Sequence, residues 1–261
     1  MTAIWIKRDF LVPATLAMAA IIATLGCDGK SGTGGAQGEA EYQIRGVLIE
    51  DWNRMATRAE ISVSRNDTLF DSGLVWIGDE TLSFDSTTDT YRLNVEPSGT
   101  FPEGSHRLVL ADLPEFMDTV LIDIADTFSV TVSDPPNRLN PGGDVVTLDW
   151  TESAGSGAYV MAAVPRHLAY TGAGYSEWVG SSEGTIPISA FRWSNGVALD
   201  TGWYYVFAYS YTGAPDSALS DDPLPVPLPG DRTDNIDQTP ISGRFGTIVV
   251  AGRDSVYVTM Q

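Results

Sequence analysis

The chain has 261 residues, 43% of them hydrophobic, so it can bury the core of one large domain or two of ordinary size. Fifteen Lys and Arg stand against 34 Asp and Glu, a formal charge of -19, and a surface of that sign repels nucleic-acid phosphates and anionic lipid headgroups. With a single cysteine, Cys27, no internal disulfide can form, and stability must come from burial.

Lys7 and Arg8 precede a mostly apolar run from Phe10 to Gly26, interrupted by Pro13. The run falls short of the ~20 residues that a spanning helix needs. A basic start, a short apolar centre and small residues before a cut describe a signal peptide, expected over residues 1–26. Its ending, Thr24-Leu25-Gly26-Cys27, resembles a bacterial lipobox, although Thr24 stands where that pattern normally has Leu. The resemblance implies that the Cys27 thiol receives a diacylglyceryl group and that the chain is cut just before it. Each buried methylene contributes about 0.8 kcal/mol, and two or more acyl chains anchor stably where one does not. The expected address is the cell envelope, lipid-anchored to a membrane on its periplasmic face or at the cell surface. Residues 27–41, rich in glycine, read as a flexible tether behind the lipidated cysteine. Asp28 resembles the inner-membrane retention signal of enterobacteria.

From Tyr42 onward the apolar residues alternate with period two between turn signals. Ile44–Ile49, Ala59–Ser64, Thr90–Val95, His106–Leu110 and Thr127–Val132 are examples. No helical stripe longer than two turns is legible. Residues 42–133 are similar in pattern to immunoglobulin-like or carboxypeptidase-regulatory-like β modules. Ser133-Asp134-Pro135-Pro136-Asn137 is the expected boundary, because paired prolines remove backbone donors and stiffen a crossing.

The segment after the boundary, 134–261, resembles a fibronectin type III domain. Val146-Thr147-Leu148-Asp149-Trp150 has the apolar-x-apolar-x-Trp of that family's second strand, and Tyr159–Ala163 suits the next one. Leu199–Phe207 looks like the segment that forms a tyrosine corner, with Tyr205 as the corner residue and Thr201 where the family has proline. The resemblance implies a core with Trp150 touching Tyr205 or Phe207. Pro223–Pro229 alternates proline with apolar residues and should be extended polyproline II, part of a long surface excursion over 212–240. The expected fold class is all-β: two tandem β-sandwich domains, immunoglobulin-like then fibronectin type III-like, after a signal peptide and flexible tether.

The chemistry-bearing residues form no catalytic set. His106 and His167 are the two histidines and fall on separate expected domains, which disfavours a zinc site. Gly180-Ser181-Ser182-Glu183-Gly184 fits the esterase elbow pattern, but a strand reading follows it where the elbow needs a helix. Carboxylates are plentiful, yet nothing nominates a glycosidase pair. Asp231, Asp234, Asn235 and Asp237 fall within seven residues and are candidate Ca²⁺ ligands, since that ion takes six to eight oxygens. No other cofactor is indicated. Asp118, Asp123 and Asp126 form a weaker acidic run within an expected strand. Tyr170, Tyr175 and Trp178, set among glycines, are candidate stacking aromatics for a sugar. The expected function is a lipid-anchored, non-catalytic structural or interaction module. A carbohydrate-binding module is the alternative, and an envelope hydrolase a more distant one. The expected partners are the membrane through Cys27 and another envelope protein or polysaccharide, with no nucleic acid.

Overall fold

A computed structural model describes residues 41–96, 101–133, 145–192, 200–216, 218, 224–230 and 232–259, all within one compact unit, Glu39–Gln261. The expected signal peptide, Cys27 and the Pro135-Pro136 boundary lie outside the described residues. The period-two pattern becomes seventeen strands: β1 (Tyr42–Asp51), β2 (Ala56–Arg65), β3 (Thr68–Leu69), β4 (Leu74–Ile77), β5 (Glu80–Asp85), β6 (Thr90–Val95), β7 (Gly104–Asp112), β8 (Phe116–Ile124) and β9 (Val130–Ser133). Then come β10 (Val145–Trp150), β11 (Ala158–Pro165), β12 (Tyr175–Val179), β13 (Glu183–Pro187), β14 (Gly202–Gly213), β15 (Ile236–Gln238), β16 (Ile241–Val250) and β17 (Asp254–Val258). Two short 3-10 turns, Arg166–Leu168 and Ile188–Phe191, are the helical elements among the described residues.

An early strand and a late one lie side by side. β1 pairs in parallel with β16 along its whole length, Tyr42 opposite Ile241 and Asp51 opposite Val250. Its other edge pairs antiparallel with β2. From β16 the sheet continues through β14 and β11 to β12; from β2 it continues through β6, β5, β4 and β7 to β8 at its end. A separate three-stranded sheet has the order β13-β10-β9. Close approach of β1 and β16 depends on Gly243, which has φ +119; a Cβ there would sit 2.1 Å from the Ile44 carbonyl oxygen. Positive φ of this kind suits glycine alone.

Side chains alternate across a strand, and β16 thereby serves three apolar clusters. Ile241 and Phe245 join Tyr42, Leu48, Ile61 and Ile122 in the first core. Further along the same face, Val249 joins Trp150, Tyr159, Ile186 and Val206 in the second. Ile248 and Val250 point the other way, into a third cluster with Val47, Phe207 and Tyr209. Burying each such side chain contributes roughly 1.5–3 kcal/mol.

The all-β class is therefore present, with sandwiched sheets and two cores on one face of the long sheet. Two of the apolar clusters meet just before the end of the expected first domain. The cores divide between Ile124 and Ala125, and the first is completed by Ile236, Ile241 and Phe245 from the far end of the chain. The reason is the parallel β1–β16 pairing, a contact between distant segments that leaves no local mark. Part of the described 212–240 segment lies inside. Its apolar residues Leu224 and Val226 are buried on the third cluster. Pro225 and Pro227 remove the neighbouring donors, and the Tyr209 hydroxyl serves the backbone between them, accepting from Val226 N–H (2.9 Å) and donating to its carbonyl (3.1 Å).

Candidate functional site

β8 ends the long sheet, and its outer edge faces β14, β15 and β16 across a cleft of about 520 Å³. The seam is bridged by side chains in place of a ladder. Gln238 Nε2 donates to the Thr119 carbonyl (3.1 Å), and Thr247 Oγ1 (2.8 Å) and Thr212 Oγ1 donate to the Asp123 carbonyl. The Thr119 N–H turns to the adjacent Asp118 carboxylate (2.7 Å). These contacts identify Thr119, Leu121 and Asp123, two apart, as the residues whose backbone groups point away from β7. On β7, Arg107 opposite Leu121 gives its carbonyl to Gly78 N–H (2.9 Å) on the other side.

The charged residues lining this cleft, among those described, are Asp123 and Asp237. Asp123 Oδ1 accepts from the Ser105 hydroxyl on the outer face. On that face of β8, Met117 is 59% and Leu121 70% exposed. Such a set offers apolar contact and negative charge. Among its described lining residues there is no histidine, cysteine or lysine.

Of the candidate Ca²⁺ ligands, three lie among the described residues. Asn235 is turned onto β16, its Nδ2 donating to the Phe245 carbonyl (2.9 Å) and its Oδ1 accepting from Phe245 N–H (3.0 Å). It is a clip that orients the chain into β15, a role its place beside three acids disguised. Asp234 and Asp237 are exposed, and Asp231 lies outside the described residues. Among the described residues no group of three or more His, Cys, Asp or Glu could hold a metal.

The aromatic candidates also separate. Tyr175 and Trp178 sit three apart on β12, which puts them on opposite faces. Tyr175 packs against the second core and its hydroxyl donates to Glu177. Trp178 packs against the third cluster, edge-on to Tyr211 (4.8 Å) with the Arg232 guanidinium 3.9 Å from its ring centre. Tyr170 lies under Arg54 (3.7 Å) and donates its hydroxyl to Asp51 (3.0 Å). Burial and the Asp51 charge push that hydroxyl well above its ordinary value of 10.0. Tyr175 and Trp178 thus share no face. Arginine stacked on an aromatic face, worth about 0.5–2 kcal/mol, is the recurring motif that the sequence reading missed.

Tyr205 is likewise reassigned. On β14 the residues Tyr204 and Val206 face the second core, while Tyr205 and Phe207 face the third cluster. Trp150 is buried as expected but meets Tyr159, with ring centres 5.5 Å apart. Tyr205 instead lies between Arg253 (4.3 Å) and Arg166 (5.6 Å). Ser182, at the centre of the elbow-like pattern, sits in a turn leading into β13, and its carbonyl accepts from Trp150 N–H (3.0 Å). His106 bonds the Pro102 carbonyl through Nε2 (2.7 Å).

No protein-family model matches the chain, and no curated protein does. Solved structures resemble it remotely. A complex of Dpr11 IG1 with DIP-gamma is 12% identical, covering 81% of this chain and 99% of the other, with a TM-score of 0.24. DIP-gamma IG1+IG2 is 11% identical, covering 85% and 99%, at 0.22. A mutant Salmonella alpha-2-macroglobulin is 11% identical, covering 80% and 14%, at 0.25. Likeness at this level carries no functional argument.

Proposed function

We propose that this is a cell-envelope protein held to a membrane by lipid on Cys27, whose all-β body acts as a non-catalytic interaction module. The observation that carries the second half is the β8 cleft, where exposed Leu121 lies beside Asp123 and Asp237, its charged lining among the described residues. The support for the first half is the lipobox-like Thr24–Cys27 at the end of a short apolar run, with Cys27 the sole cysteine. The separation of Tyr175 from Trp178 removes the motive for the sugar-binding alternative.

Two measurements test the reading. Fractionation of cells expressing the full chain should place it in the membrane pellet, and Cys27→Ser should release it or leave it unprocessed. A mature N-terminus carrying a free Cys27 thiol in mass spectrometry would refute the anchor. Turnover of a panel of chromogenic glycosides and esters by the purified protein would refute the non-catalytic assignment.

A further inference from the structure

We infer that the arginine–aromatic patch at the far end of β1 is a docking face for a partner protein that presents a carboxylate beside an apolar side chain. The inference deepens the interaction-module reading and rests on it. The patch is built across β14, β17 and the turns beside them. On β14, Trp203 and Tyr205 stand two apart and so share one face of the sheet, with Tyr257 of β17 opposite Trp203. Trp203 is 52% and Tyr257 46% exposed, and their ring centres lie 5.2 Å apart. Beyond them Tyr205 lies between the guanidinium groups of Arg253 (4.3 Å) and Arg166 (5.6 Å), and both arginines are exposed. The Arg253 charge also bears on the Tyr170 hydroxyl, whose ring lies under Arg54. Arg253 N–H donates to Asn53 Oδ1 (3.0 Å) in the turn after β1, so the two stacks adjoin.

Composition and charge specify the occupant. Trp, Tyr and Arg are the residue types that dominate the centres of protein–protein interfaces. A guanidinium stacked on a ring keeps its N–H groups at its edge, in the fork that suits a carboxylate. The neighbouring acids are turned elsewhere. Asp254 accepts from Val132 N–H (2.9 Å), Asp200 bonds the Tyr204 hydroxyl on the opposite face, and Asp51 is buried under Tyr170. Among the described residues of the patch the exposed charges are thus positive, on a chain whose formal charge is -19. A carboxylate is favoured here and opposed over the rest of the body, which fixes where the partner lands. The same charge opposes an extended polyanion, which would run on from the patch over acidic surface, and a second copy of this chain. The chain enters β1 at Tyr42, and the patch lies at the other end of that strand, about 30 Å away. The residues that lead back to Cys27 therefore join the body far from this face.

The test pans the full chain, purified in detergent, against a displayed library of random twelve-residue peptides. Enriched peptides should place Asp or Glu next to Leu, Phe or Trp. Made synthetically and followed by fluorescence anisotropy, they should bind about fivefold or more weakly to Arg253→Gln and to Trp203→Ser. They should bind undiminished to Arg107→Gln, which alters an exposed arginine of β7. Replacing the acid of the peptide by its amide should cost as much as Arg253→Gln. That arm leaves the protein untouched, so its result stands even if a variant fails to fold. No enrichment, peptides rich in lysine and arginine, or affinities blind to Arg253→Gln and to the amide overturn the inference. So does a dimer in sedimentation that Trp203→Ser dissolves, the occupant then being a second copy. Tighter binding of polygalacturonate than of any selected peptide would make the occupant an acidic polysaccharide and overturn it too. A free Cys27 thiol or a catalytic turnover would overturn the parent reading while leaving these affinities as measured.

Discussion

Arg244 closes on a single carboxylate oxygen of Asp216 with two nitrogens, Nε at 3.0 Å and Nη2 at 2.6 Å, and both side chains are out of solvent. Arg45, half exposed, reaches the same oxygen at 3.0 Å, while the Asp216 N–H donates to the Gly46 carbonyl on β1. The pair ties the loop after β14 across β1 and β16. Removing one member of a buried pair leaves an uncompensated charge, at about 3–5 kcal/mol. Arg244→Ala should therefore cost that much in urea unfolding, and Arg45→Ala about 1 kcal/mol or less. Equal losses would show that the exposed arginine carries the pair.

Trp150 tests the second core. Truncating a buried Trp to Ala costs about 3–5 kcal/mol, whereas Asp149, pointing to the other side of β10, should tolerate Ala within about 0.5 kcal/mol. Equilibrium unfolding followed by far-UV circular dichroism separates the two. A Trp150→Ala variant as stable as its parent would remove Trp150 from the centre of the core.

The tyrosines predict a stability limit at high pH. Burial, then the Asp51 charge, raises Tyr170; burial, then Asp200, raises Tyr204; burial raises Tyr209 well above 10.0. A hydroxyl whose folded value lies above its unfolded one stabilises fully below the unfolded value and loses that contribution as pH climbs past it. Urea midpoints should hold from pH 8 to about 10 and fall beyond. Tyr170→Phe should flatten the fall, and an unchanged slope would contradict the role given to its burial.

Gly243 marks the tightest approach in the β1–β16 pairing. Ala at a position with φ +119, with its Cβ 2.1 Å from the Ile44 oxygen, should destabilise by more than about 1 kcal/mol. Gly252, with open space around its Cβ position, is the control, expected to accept Ala at little cost. Thermal melts of the two variants decide the matter.

The strand content was legible because alternation is a local signal: Ile44 and Ile61 each stand between polar neighbours, and both enter the first core. Trp150 was legible for the same reason, as one of three inward residues on β10. What escaped was non-local. Nothing near Tyr42 announces that Ile241 will lie beside it, nor that the first cluster ends at Ile124 and draws on residues more than a hundred positions later. Tyr205 was assigned by family pattern, and a single step of register sends it to the opposite face from Val206. Asn235 and Trp178 were read by residue type. Their partners, the Phe245 backbone and Arg232, are set by tertiary structure. β8 itself was visible only as an acidic run, since its contacts with Gln238, Thr212 and Thr247 are set by tertiary structure.

The parallel pairing of β1 with β16 also sets an order of events in the life of the molecule. A chain made from its N-terminus exposes β1, with Tyr42, Ile44 and Leu48 uncovered on one face and an open ladder on one side, until some two hundred later residues have been delivered. Contacts of such long sequence separation slow folding and prolong exposure of sticky surface. That surface is covered only once Ile241–Val250 arrives.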